Sequence, residues 1–422
     1  MTTINPAVPA AESLQTTSRV TSRVESIDIF RGLTMAVMIF VNAVADVPGL
    51  PTWTYHAHAH EDRMTYVDMV FPFFLFVVGM SLPLSIAQRL RRNPSIPSLW
   101  MHVLLRSFSL VVLGLILANA EKADPSAMGM SGNLWGLLGL LCAALYLNIY
   151  PKSQRFPAYA TILRIIGLIG VAVLFAIFRR TILDPQTGQA HTGWIDPSYP
   201  EILGLIGFTY FSIALLYIPT RRWKWAQFVW FLLMLTLCIC STAKLISIAR
   251  LPIYFWPFNN GAMACIAMAG VVTTLLFFGN GSGQPIHLNT SRAITIAIVF
   301  AAVAFIAGWL CTPLGISKIR ATPTWSLYCI GSSILLFTLL YWICDIQHRT
   351  TWAFPVKAAG SNTLLTYLLP DLWYFLFATM GVTWLDTHWS LGWPAVLKTI
   401  IFTLLMLMLA SALTKAKLRL QL

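Results

Sequence analysis

Residues 66–92 read YVDMVFPFFLFVVGMSLPLSIAQRLRR. Between Asp68 and Arg89 this stretch carries no charge, and the apolar run over 66–88 is long enough to cross hydrocarbon as a helix, which takes about 20 apolar residues. It stops at Arg89-Leu90-Arg91-Arg92, a basic cluster of the kind retained on the cytoplasmic side of a membrane. The repetition of this pattern along the chain decides the fold class.

Further apolar runs occur near 27–47, 99–119, 131–149, 158–178, 200–218, 226–247, 260–279, 291–311, 325–344, 360–380 and 393–413. The 422 residues are 57% hydrophobic and only 10% charged, with a mean hydropathy of +0.72. A soluble chain of this length does not have that composition. The sequence therefore predicts an all-α, polytopic membrane helix bundle of about 12 (10–12) transmembrane helices with no large soluble domain. Residues 1–24, rich in Thr, Ser, Ala and Pro, are expected to be a disordered cytoplasmic tail, 25–414 the transmembrane domain, and 415–422 a basic cytoplasmic tail.

The net charge of +13 would suggest a nucleic-acid binder in a soluble protein. Here Lys and Arg fall in short runs between apolar segments: Arg89 to Arg92, Lys152 to Arg155, Arg221 to Lys224, His348-Arg349 and Lys415 to Arg419. These are topology signals, and they place both termini in the cytoplasm, as expected of a multi-pass protein of an inner (cytoplasmic) membrane with lipid neighbours and no nucleic-acid partner. Trp53, Tyr66, Trp194 and Trp393 sit at expected helix ends, where an aromatic belt forms. Seven cysteines, nearly all inside apolar segments, give neither a disulfide framework nor metal-ligand spacing.

Charged and amide side chains are costly inside a membrane, so those that occur are candidates for function. Asp28 and Arg31 lie at the inner mouth of the first helix, Asn42 near its outer end and Asp68 at the start of the second; Arg106, Arg164, Glu201, Lys244, Asn362 and Asp371 lie in later helices. Asp28 and Arg31, three apart, share one face and either neutralise one another or hold an anionic cofactor. Arg106, near the cytoplasmic side, either snorkels or contributes to the same site. The loop Trp53-Thr54-Tyr55-His56-Ala57-His58-Ala59-His60-Glu61-Asp62 packs three histidines and two acids beside the outer face. An imidazole there can act as general base or transient nucleophile; the same loop can also be only a solvated surface. Alternation would place His56, His58 and His60 on one side for a metal, but no HExxH-type helical motif supports ligation, and no metal is expected.

Read in order, Ser26-Ile27-Asp28-Ile29-Phe30-Arg31-Gly32, then Val41-Asn42, then His58, then Asp68-Met69-Val70-Phe71-Pro72-Phe73-Phe74-Leu75-Phe76-Val77-Val78-Gly79, the chain resembles the heparan-α-glucosaminide N-acetyltransferase family. Gly315-Ile316-Ser317-Lys318, Thr324 to Tyr328 and Gly360-Ser361-Asn362-Thr363 to Tyr367 extend the resemblance across most of the chain. It implies transfer of an acetyl group from cytoplasmic acetyl-CoA, as co-substrate, to an amino-sugar or other glycan acceptor on the far side of the membrane, and a possible homodimer. The family's active histidine lies ten residues before the aspartate of the second helix, which selects His58, with His56 and His60 as alternatives because the stretch after Asn42 is longer here. Asn42 then corresponds to an oxyanion donor and Asp68 to the group that fixes the imidazole tautomer. Arg31, Asp28 and Arg106 are expected at the CoA end, and Lys318, Asn362 and His60 at the acceptor. One block departs from the family: Gly132-Asn133-Leu134-Trp135-Gly136-Leu137-Leu138-Gly139 stands where the family has R-I-P-G-V-L-Q-R. That loss points to a divergent bacterial branch with a different acyl group or acceptor. A transporter or flippase for a sugar or lipid-linked substrate is the competing reading, since it too would set polar groups along a path through the bundle.

Overall fold

The computed structural model describes residues 24–45, 47–151, 158–184, 187–223, 225–246, 258, 260–279, 290–382 and 387–421. The expected N-terminal tail, apart from Val24, lies outside the described residues, as do Lys152 to Arg155 and Lys224. Each of the twelve apolar runs carries a helix. In chain order the helices are α1 (Glu25–Val44), α2 (Val70–Arg92), α3 (Ile96–Ala120), the short α4 (Pro125–Met128), α5 (Gly132–Leu147), α6 (Tyr159–Ile177) and α7 (Glu201–Thr220). They continue with α8 (Ala226–Thr242), α9 (Ala262–Phe278), α10 (Thr290–Leu310), α11 (Pro323–Tyr341), α12 (Phe354–Ser361), α13 (Thr363–Thr379) and α14 (Gly392–Lys415). Among the described residues eight helices are long and apolar enough to cross a membrane, with α5, α8 and α9 as shorter apolar helices. The chain is an all-α polytopic membrane protein.

The run near 360–380 is not one helix. Asn362, at φ −132° and ψ 56°, breaks it into α12 and α13. A two-stranded antiparallel hairpin, β1 (Arg180–Leu183) with β2 (Ala190–Gly193), caps the bundle. Neither feature is apparent from hydropathy.

In lipid a helix must satisfy its own polar groups. The hydroxyls of Thr209, Ser212, Thr273, Ser333, Thr338 and Thr399 accordingly bond the carbonyl four residues back. Close helix pairs use glycine. A Cβ on Gly32 of α1 would lie 2.0 Å from the Val356 carbonyl oxygen of α12, and one on Gly360 would lie 2.0 Å from that of Asp28. In the same way Gly79 and Gly270 bring α2 and α9 together. Without a hydrophobic force between helices in lipid, such small-residue contacts let backbones approach and gain dispersion energy.

The two ends of the bundle differ. At the basic end the N-terminus of α1 meets Asp345, whose Oδ2 accepts from Ser26 N at 3.1 Å, and Glu25 pairs with Lys357 at 2.8 Å. The segment after α14 docks there too: Asn362 Nδ2 donates to Thr414 Oγ1 at 3.0 Å and to the Leu418 carbonyl at 2.9 Å, and its Oδ1 accepts from Leu420 N at 3.2 Å. At the other end, Gly392 N at the start of α14 donates to the Pro48 carbonyl, the α1–α2 loop folds over the bundle, and the hairpin sits.

Candidate active site

The loop between α1 and α2 is held by its own side chains. Tyr55 OH receives Leu50 N at 3.0 Å and bonds the Val47 carbonyl, so the first half closes on itself. Thr65 then caps a 3-10 turn over Tyr66–Met69, a reciprocal capping box in which Asp68 Oδ2 accepts from Thr65 N at 3.0 Å. That turn fixes the direction of the Asp68 carboxylate.

Asp68 is 1% exposed. Its Oδ2 also takes Ala57 N at 3.3 Å, and its Oδ1 lies 2.7 Å from Nδ1 of His56. Trp325, buried on α11, donates its indole N–H to the Asp68 carbonyl at 3.1 Å, fastening the turn to the bundle. An ionised carboxylate only accepts, so the proton between it and His56 belongs to Nδ1, and in the neutral ring Nε2 then carries the lone pair. This is the arrangement in which an imidazole can act as base or nucleophile.

His58 and His60 are placed differently. Their rings stack on one another at 5.6 Å and both are exposed, while the His58 backbone N–H is tied to Glu61 Oε2 at 2.9 Å. The expectation that Asp68 orients His58 is therefore corrected: Asp68 orients His56, because the loop turns between Tyr55 and Thr65 so that Ala57 N and the His56 ring, not His58, face the carboxylate. With His56 turned to Asp68, the three rings do not converge as a ligand set. A cavity of about 450 Å³ opens beside this loop, lined by residues that include Thr52, Thr54, His56, His58, Arg63 and Ile319. That size lies within the range of about 300–1,000 Å³ of small-molecule sites.

The loop after α10 closes the site from the other side. Gly315 adopts φ +83°, and the turn that follows is locked by Ser317 N to Thr322 Oγ1 at 3.1 Å and Thr322 N to the Ser317 carbonyl at 3.1 Å. Arg320 forms an ion pair with Asp62, joining the two loops and holding the Asp62 carboxyl below the usual carboxylate range. Lys318 thereby reaches His56, with Nζ 3.4 Å from Nδ1 and 3.5 Å from Nε2. Burial pulls the Lys318 ammonium below the usual lysine range, and the Asp68 charge partly opposes that.

The remaining expected residues do not gather here. Asn42 is exposed on the last turns of α1 and does not line the cavity. Asn362 is buried at the opposite end of the bundle, where it holds the segment after α14; it is not grouped with Lys318 or His60, because α12 packs on the first turns of α1. Arg31 donates to Asp28 Oδ1 at 3.4 Å, to the Gly360 carbonyl at 3.3 Å and to Ser81 Oγ at 2.6 Å, a junction of α1, α2 and α12. Arg106 stacks on Tyr210 of α7 at 4.5 Å, with Nε bonded to no described residue. The imidazole that Asp68 contacts is His56, one of the two alternatives that the lengthened stretch after Asn42 left beside the ten-residue count to His58.

Comparison with known proteins gives two results. The family described as "Domain of unknown function (DUF5009)" matches residues 23–257, a range that includes His56 and Asp68 but not Lys318. Over 97 residues the chain is 37% identical to heparan-alpha-glucosaminide N-acetyltransferase of Homo sapiens, and over 98 residues it is 36% identical to the protein of that name from Mus musculus. Each match covers 23% of this chain and 14% of the length of the relative.

Proposed function

The chain belongs to the DUF5009 family, and from that starting point we propose that it is a membrane-embedded acyltransferase that moves an acetyl group from acetyl-CoA to the amine of an amino sugar or related glycan. The observation that carries this reading is the His56–Asp68 pair at the edge of the loop cavity. The partial likeness to two N-acetyltransferases supports the same chemistry.

A primary amine that attacks a thioester must lose a proton, and Nε2 of His56 can take it while Asp68 holds the ring and stabilises the imidazolium. If the imidazole attacks first, the acyl group rests on Nε2 and the amine collects it in a second step. Asp68 has the same duty in both routes. The donor reaches the site from the basic, cytoplasmic end, where Arg31 and Arg106 are the cations assigned to the CoA phosphates; the acceptor waits at the loop end. Helix α1, at about 1.5 Å per residue, separates the two ends by about 30 Å, the distance over which donor and acceptor have to be brought together.

The test supplies purified protein in lipid with acetyl-CoA and glucosamine. Free CoA and N-acetylglucosamine should appear together. Movement of labelled glucosamine across the membrane, unchanged and without CoA release, would make the protein a carrier.

A further inference from the structure

Lys318 is placed as few lysines are. It is half-buried, no carboxylate lies within ion-pair distance among the described residues, and its nearest polar neighbours are the two ring nitrogens of His56. Contacts of 3.4 and 3.5 Å to the two ring nitrogens engage at most two of the three ammonium N–H groups, which leaves one for another acceptor. The titratable groups around it are His56, Asp68 from the start of α2, Glu201 from the start of α7 and Cys329 of α11. The charges of Asp68 and Glu201 favour the ammonium form against the effect of burial. The loop that presents it is fixed at both ends, by the Ser317–Thr322 turn and by the Asp62–Arg320 pair.

We propose that Lys318 is a catalytic residue of the acyl transfer, whose ammonium donates to the carbonyl oxygen as negative charge develops there. This rests on the acyltransferase reading. In the step, the amine nitrogen bonds to the thioester carbon and the carbonyl electron pair moves to oxygen, where Lys318 receives it. The C–S bond then breaks, and the proton taken from the amine by His56 passes to the CoA sulfur. Products are the amide and free thiol, and no other reactant is needed. A preorganised cation is suited to this because it need not reorganise as charge appears. Asn42, which the family resemblance suggests for that duty, is exposed on the last turns of α1, whereas Lys318 stands against the His56 ring.

The experiment measures CoA release against pH for wild type, Lys318→Met and Lys318→Arg in lipid, each with its thermal unfolding recorded. Loss of one such donor costs about 10²–10³-fold in kcat. Lys318→Met should therefore fall by about that factor with little change in either KM. Lys318→Arg should keep a measurable kcat. Because the Lys318 ammonium is pulled below the usual range by burial, wild type should lose kcat on an alkaline limb below about pH 10.4, and arginine should abolish that limb. The arginine comparison decides the matter if the methionine variant does not fold. A Lys318→Met protein with unchanged kcat and a raised acceptor KM would overturn the inference and make Lys318 a binding contact; an alkaline limb that persists in Lys318→Arg would also overturn it. No CoA from wild type would instead overturn the acyltransferase reading itself.

Discussion

Nδ1 of His56 lies 2.7 Å from Oδ1 of Asp68, although the two residues are twelve apart and His58 lies between them. The carboxylate is buried and has partners on both oxygens, so it sets the tautomer of one imidazole only. Asp68→Asn keeps the shape but can present an amide where the ring needs an acceptor. It should lower CoA release on the order of 10²-fold or more and cost about 1–3 kcal/mol through the Thr65 and Ala57 N–H groups it serves. Chemical denaturation and initial rates on one preparation check both.

Gly32 and Gly360 allow α1 and α12 to touch backbone to backbone. Gly32→Ala puts a methyl 2.0 Å from the Val356 carbonyl oxygen, and the helices must part. The expected cost is at least about 1–3 kcal/mol, seen as a lower Tm in detergent, with rates reduced in proportion to the folded fraction. An unchanged Tm would mean that the two helices are not in this contact.

Asn362→Ala should act on the segment after α14 and not on the acceptor. Thr414 keeps its bond to the Ala410 carbonyl, but the Leu418 carbonyl and the Leu420 N–H lose Asn362 as partner, and the segment should become open to carboxypeptidase and fast in hydrogen exchange. Acceptor KM should stay within about twofold, since a residue at the far end has no contact to lose.

The Asp62–Arg320 pair predicts a pH dependence. The folded carboxyl is held below its ordinary range by the guanidinium, so the clasp between the two loops is fully formed above the ordinary aspartate pKa, near about 3.9, and is lost as pH falls through the lowered folded value. Protection against hydrogen exchange at 58–62 and 315–321, taken relative to the intrinsic rate at each pH, should be constant from pH 7 to 5 and fall only below about pH 4. Acceleration already at pH 6 would assign the clasp to a histidine.

The helices were legible because hydrocarbon demands long apolar runs, and all twelve runs carry one. What hydropathy misses is local: Asn362 at the break bonds α14 and the segment after it, and the hairpin over Arg180–Gly193 is too short and polar to register. In the site, Asp68 was legible as a charge at a membrane boundary. The choice among His56, His58 and His60 was not, because it depends on how Thr65 caps a turn and how Tyr55 closes the loop. Lys318 could be seen as a cation on the outer side, but its place beside a ring 262 residues away is a property of the bundle.

The most direct test of this account compares His56→Ala, His58→Ala and His60→Ala for CoA release from acetyl-CoA with glucosamine, in lipid and at matched folded fractions. His56→Ala should be inactive within detection, while His58→Ala and His60→Ala should stay within several-fold of wild type. An active His56→Ala beside an inactive His58→Ala would contradict the assignment of His56 as the reacting imidazole.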